Sequence, residues 1–476
     1  MMGAQRKFSM RLHEDAWIYA ASDHREWHRA GYRTLNRHST SFRQLAQEIH
    51  LPARLREFNF AGSLAFIASQ KNLGSGKILT HPTFTSWLHY GFEREHGWGT
   101  SSLGWLKHLN FVHGFAAALA VLSGTPHKFR VFLDEAGHFH FHGMTVYLDF
   151  GENNAGNTIV VHVSKTQVEL KGEFGYASVK RERLLTRNLS PLEIGKGIHV
   201  RWLCPIGELM EVNDCDLLIR KPFDNAGKHG SKDWPIARLE GEESALFVSV
   251  IDKAARLIRE LCPEIYEELA ANIRVIVPLH APERNFSASS TYSHLPGLIG
   301  LSPNEDPLLQ AEVLIHEFCH NKLYLLMEFD SLLDPDVSRE ALYFSPWRKD
   351  PRHLRGILLG AHAFLNVARF LSLAVAKFKK SDDPEGKIRV KLFKLLFQVD
   401  SALRTLMGYS KFTDFGRQFA VAMQHELMRI YERAPAEVPT LVSEAKGMVQ
   451  KHEEEYAIPF TGYHRQARRP LASSID

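Results

Sequence analysis

Two histidines four residues apart with a glutamate beside the first, His316-Glu317-Phe318-Cys319-His320, are the residues of this chain best placed to do chemistry. On a helix, positions i and i+4 share a face, so both imidazoles can offer a nitrogen to one metal ion. Glu317 then stands where a carboxylate can hold or deprotonate a metal-bound water. Cys319, on a short side chain three residues after His316, reads as packing rather than as a ligand.

A helix has to carry these groups, and the residues ahead of them predict one. Asp306 suits the N-cap and Pro307 the first helical position. Leu308, Leu309, Val313, Ile315, Cys319, Leu323 and Leu326 would bury one side, with His316 and His320 at the edge of a cleft. Leu298 to Ser302 reads as a short strand just before this helix, either an edge able to pair with an extended peptide as the corresponding strand does in zinc peptidases or an internal strand with no substrate role. A catalytic metal needs a third protein ligand and open positions. Two residues offer themselves. Glu340 lies 20 residues after His320, a spacing like that of thermolysin-type peptidases, and His362 lies on the strongly helical stretch from Arg355 to Leu373.

The surrounding chain is organised in blocks. Residues 1–125 read as a helical region, with apolar spacing of helical period at Arg43 to Leu55, Ser63 to Gln70 and Trp105 to Leu122. Residues 126–238 read as β-rich, with period-two runs such as Thr158 to Val163 separated by Gly, Asn and Asp turns. Residues 239–460 carry the metal helix and further helices, and 461–476 form a polar tail. The class is α+β. Within the middle block, His138-Phe139-His140-Phe141-His142 alternates, which puts three imidazoles on one strand face. That face is either a second metal site or a solvent-facing edge whose two Phe residues fill the core.

Composition narrows the compartment and the partners. A net charge of +4 over 476 residues argues for neither nucleic acid nor an anionic membrane as partner. The four cysteines are scattered, without a CxxC, as in a reduced cytosolic protein. Met1 to Trp17 lacks the apolar core of a secretory signal, and the run from Gly114 to Leu122 is too short to span a bilayer. A soluble cytoplasmic protein is expected. No P-loop, dinucleotide fingerprint or Ser-His-Asp arrangement stands out.

Three blocks in order carry a resemblance. They are HExxH followed by Asn321-Lys322-Leu323, then Ser345-Pro346-Trp347-Arg348-Lys349-Asp350-Pro351-Arg352, then Gly356 to Phe364. Over roughly residues 287–375 the chain resembles the HExxH-motif proteins of bacterial peptide natural-product pathways. Members are described as α-ketoglutarate-dependent iron enzymes that hydroxylate the β-carbon of residues in ribosomally made peptides. The resemblance implies a zincin-like core, Fe(II) and α-ketoglutarate as cofactors, and a peptide substrate such as a ribosomal precursor. Two positions depart from the pattern. His353 replaces a Pro, and Leu359 stands where the family has a His, with His362 where a Tyr is common. Positions 359 and 362 are i and i+3, so the third-ligand role passes to His362, with Glu340 as the other candidate. The distal carboxylate of α-ketoglutarate needs a cation, and Arg348 and Arg352 suit it because a guanidinium grips a carboxylate bidentately. Surface ion pairs with Asp350 are the other reading of those arginines. Two further readings stay open: a zinc metallopeptidase with Glu317 as general base, and a catalytically dead zincin-like binding protein, suggested by Leu359.

Overall fold

In the computed structural model the described residues are 58–70, 77–92, 108–188, 190–207, 210–224, 235–239, 241–280, 287–334, 341–378, 383, 385–434 and 439–457. The expected helix from Arg43 to Leu55, Glu340 and the tail 461–476 lie outside them. The described residues divide into two compact units, one ending at Phe329 and the other beginning at Asp330. Helices and sheets are both present, and the class is α+β.

The first unit begins with helices α1 (Phe60–Ser69), α2 (Pro82–Phe92) and α3 (Val112–Ser123). Strands β1 (His127–Phe132), β4 (Thr158–Val163), β5 (Gln167–Gly172) and β6 (Gly175–Lys180) make one antiparallel sheet in that order. A second antiparallel sheet runs β2 (His138–His140), β3 (Val146–Asp149), β8 (Ile198–Trp202), β7 (Leu192–Gly195). The short α4 (Arg181–Leu185) follows β6. Alternation shapes these strands: in β4 Ile159, Val161 and Val163 are buried while their neighbours are half exposed. Helices α1 to α3 and both sheets close over one core that includes Phe60, Trp87 and Phe115. Burying each such ring contributes roughly 1.5–3 kcal/mol. The turn into β2 depends on Gly137, at φ +76, where a Cβ would lie 2.0 Å from the Gly151 carbonyl oxygen.

A third sheet positions the metal helix. Its order is β12 (Ser289–Ser290), β13 (Leu298–Leu301), β11 (Val275–Pro278), β10 (Met210–Val212), β9 (Cys204–Ile206). The three central strands run parallel, and β12 and β9 are antiparallel edges. Helices α5 (Leu217–Asp224), α6 (Gly241–Leu261), α7 (Pro263–Asn272) and α8 (Pro307–Met327) complete the unit. Helix α5 lies where period-two spacing was expected to continue. Of the two readings of Leu298 to Ser302, the structure gives the internal one. Leu298–Leu301 is an interior strand, paired with β11 on one side and with β12 on the other, because the polar Ser289–Ser290 segment covers its free side.

The second unit consists of helices α9 (Leu354–Lys377), α10 (Lys387–Tyr409), α11 (Asp414–Arg433) and α12 (Pro439–Tyr456), which pack on one another. By length and composition α9 could cross a membrane, but 83% of its apolar window is buried inside the fold, as in a core helix. No disulfide joins the four cysteines.

Candidate metal centre

Helix α8 starts as its sequence requires, with the Asp306 carboxylate accepting from the Leu308 N–H at 2.9 Å and Pro307 in the first turn. Its burial differs from the expected apolar stripe. Leu308, Leu309, Val313 and Leu326 are only half buried, whereas Gln310, Glu312, Glu317, Asn321 and Lys322 are buried. The helix is enclosed by α6, α7 and the sheet, so its polar residues serve as anchors rather than as a solvated face.

Three anchors bracket the motif. Glu317 faces the sheet edge, where its Oε1 accepts from Ser289 Oγ at 2.7 Å and its Oε2 from Thr291 Oγ1 at 2.6 Å. Asn321 bonds the chain leading into β13, accepting from the Gly297 N–H at 2.8 Å and donating to the Leu298 carbonyl at 3.0 Å. Lys322 Nζ donates to Glu268 Oε2 of α7 at 2.5 Å, with both side chains nearly sealed from water. Sequence reading missed Ser289, Thr291, Asn321 and Glu268 as parts of this arrangement. A signal existed in Gln310, Glu317 and Asn321, polar residues at i, i+7 and i+11 that share one helix face.

Held this way, the two histidines converge. His316 and His320 lie on the least covered face of α8, their rings edge to face with centroids 4.4 Å apart and their Nε2 atoms 2.9 Å apart. Burial, and then the adjacent His320, push the pKa of His316 well below its ordinary value. Burial lowers His320 too, against the opposing pull of the Glu317 carboxylate. Both rings are therefore neutral at pH 7, the state a ligating imidazole needs. His320 Nδ1 has no hydrogen-bond partner among the described residues. Burial pushes the Cys319 thiol up to about 12, which suits packing and not ligation.

The remaining expected site residues belong to the second unit. His362 is fully buried on α9, its ring 5.5 Å from that of Phe419. Arg348 is exposed and Arg352 half-buried, and both bind Asp350, at 3.1 and 2.7 Å. The block bearing them is fixed: Gln398 donates to the Pro346 carbonyl at 2.6 Å, and Trp347 rests on Gly360, where a Cβ would lie 2.2 Å from the indole.

The 138–142 run also needs correcting. The strand ends at His140, and the imidazoles do not face solvent: His140 and His142 are buried and His138 nearly so. Each meets a carboxylate, His142 donating from Nδ1 to Asp216 at 2.8 Å.

Comparison with protein-family models and with curated proteins gave no match to this chain.

Proposed function

We propose that the chain is a metal-dependent peptide-modifying enzyme on a zincin-like core, an Fe(II)- and α-ketoglutarate-dependent hydroxylase of a peptide side-chain β-carbon. The observation that carries this reading is the convergence of His316 and His320 Nε2 at 2.9 Å on a helix anchored to β12, β13 and α7. Donors bound at about 2.1 Å to one ion stand about 3.0 Å apart in adjacent octahedral positions. The two neutral imidazoles thus fit as two members of a facial ligand set. A third protein donor would complete the set, and a cationic side chain would grip the distal carboxylate of the 2-oxo acid. Bound Fe(II) would activate molecular oxygen, the oxidant, while α-ketoglutarate gives up two electrons on becoming succinate and CO2, which would allow hydroxylation of an unactivated C–H bond.

Glu317 separates this reading from zinc peptide hydrolysis. A hydrolytic base has to aim a carboxylate lone pair at the metal-bound water. Here both oxygens already accept from Ser289 and Thr291, which favours a positioning role for Glu317 in holding the pitch of α8. Glutamine keeps the shape and can still bond both hydroxyls. Glu317→Gln is therefore expected to retain succinate formation within about 10-fold, whereas loss of a general base would lower turnover by about 10²–10⁴.

The test is incubation of anaerobically loaded protein with Fe(II), α-ketoglutarate, oxygen and candidate precursor peptides. Succinate release with an oxygenated peptide of unchanged length is expected. Zinc-dependent cleavage that collapses in Glu317→Gln would replace the proposal with the peptidase, and no turnover with either metal would favour the dead scaffold.

A further inference from the structure

The turn between β1 and β2 is built around Asp134. Its Oδ1 accepts from the N–H groups of Ala136 at 2.9 Å and His138 at 2.7 Å, and its own N–H donates to the His138 carbonyl at 3.0 Å. One carboxylate oxygen is thus spent on the turn. The other, Oδ2, faces His140 Nε2 at 3.5 Å. That is too long for a charge-assisted hydrogen bond, which closes to about 2.7–2.9 Å. His140 is only 8% exposed, and its Nε2 has no hydrogen-bond partner among the described residues. Two donors on one ion at about 2.1 Å stand about 3.4 Å apart in tetrahedral geometry, so the gap has the width of a ligand pair.

His138 shares the strand face with His140. Its Nε2 faces Asp149 Oδ1 at 3.7 Å, and its Nδ1 lacks a hydrogen-bond partner among the described residues. One ligand atom from each of Asp134, His138 and His140 lies within 4.8 Å of the others. The surroundings hold these groups in place. The His140 ring stacks on Tyr147 at 5.0 Å and on His142 at 5.9 Å, and His142 is itself withheld by its bond to Asp216. The local field is negative: burial, reinforced by Asp214, Asp216, Asp134 and Glu211, pushes the Cys215 thiol well above its usual range. A buried imidazole nitrogen left unbonded in such a field is unfavourable, and a cation between it and the carboxylate satisfies both.

From this arrangement we infer that Asp134, His138 and His140 form a second metal site, for a divalent first-row ion of the zinc class, separate from the His316–His320 pair. Two imidazoles and one carboxylate oxygen are the donor set such an ion takes, with a fourth position left for water. Asp149 beside His138 plays the part of the outer carboxylate that orients a ligating ring. A metal here would staple the turn after β1 to β2.

The experiment uses the full chain with His316→Ala and His320→Ala together, which removes the other pair. Metal-free protein is titrated with Zn(II) by calorimetry, and its thermal transition is followed. One equivalent is expected to bind and to raise the transition temperature. Adding Asp134→Asn or His138→Gln is expected to abolish both effects; His138 is the least buried of the three and the safest to replace. Co(II) absorption on the folded parent gives an independent reading. A four-coordinate spectrum supports the site, and the spectrum of the aquo ion overturns it. Absence of Zn(II) binding would mean that a protonated His140 paired with Asp134 satisfies the cluster instead. Binding that survives both substitutions would equally overturn the assignment.

Discussion

Replacing Lys322 with alanine is expected to destabilise the unit that carries the metal helix by about 3–5 kcal/mol. The ammonium meets Glu268 at 2.5 Å, with side-chain exposures of 2% and 9%, so water cannot take its place. Removal of the cation takes away the charge that meets the Glu268 carboxylate on α7, and the cost of keeping that carboxylate desolvated causes the loss rather than the missing attraction alone. The double change Lys322→Met with Glu268→Leu removes both charges and is expected to recover most of the stability. Scanning calorimetry of the three variants checks this. Similar transition temperatures for Lys322→Ala and the double variant would show that the pair is not sealed from solvent.

Acid is expected to weaken the same unit through His113. This residue lies on α3, its ring stacked between Phe60 and Phe129 at 4.7 and 4.9 Å. Its Nδ1 bonds Ser63 Oγ, which also meets His127 Nε2. Burial, and then the neighbouring His127, lower its pKa to about 3. The sign follows from linkage. Between the unfolded value near 6.5 and the folded one, only the unfolded chain takes up the proton, so stability is full above about pH 6.5 and declines as pH falls. The slope from this residue is about 1.4 kcal/mol per pH unit, or roughly 3 kcal/mol over two units. His113→Phe keeps the stack and gives up only the Ser63 bond, since Nε2 has no hydrogen-bond partner among the described residues. Urea unfolding between pH 4.5 and 7.5 is expected to show a flatter dependence in this variant. An unchanged slope would mean that His113 is protonated in the fold.

Local chemistry was legible in the sequence where a residue and its consequence are neighbours. Asp306-Pro307 marked the start of α8, and alternation at Thr158–Val163 marked β4 residue for residue. The i, i+4 spacing of His316 and His320 implied a shared face, and their Nε2 atoms do converge. What holds those rings was hidden, because Glu317 is bonded 28 and 26 residues away and Lys322 finds its partner 54 residues away. Periodicity records which side of an element is covered and carries no information about what covers it. The same limit explains β13, whose edge or interior status depends on a two-residue strand, and His142, whose carboxylate lies 74 residues on.

The measurement that bears most directly on the account is anaerobic Fe(II) titration of metal-free wild-type chain beside His316→Ala and His320→Ala. Wild type is expected to bind one equivalent more than either variant, with α-ketoglutarate turnover present only where that equivalent is bound. Equal Fe(II) stoichiometry and affinity in all three proteins would contradict a metal centre built on these two imidazoles.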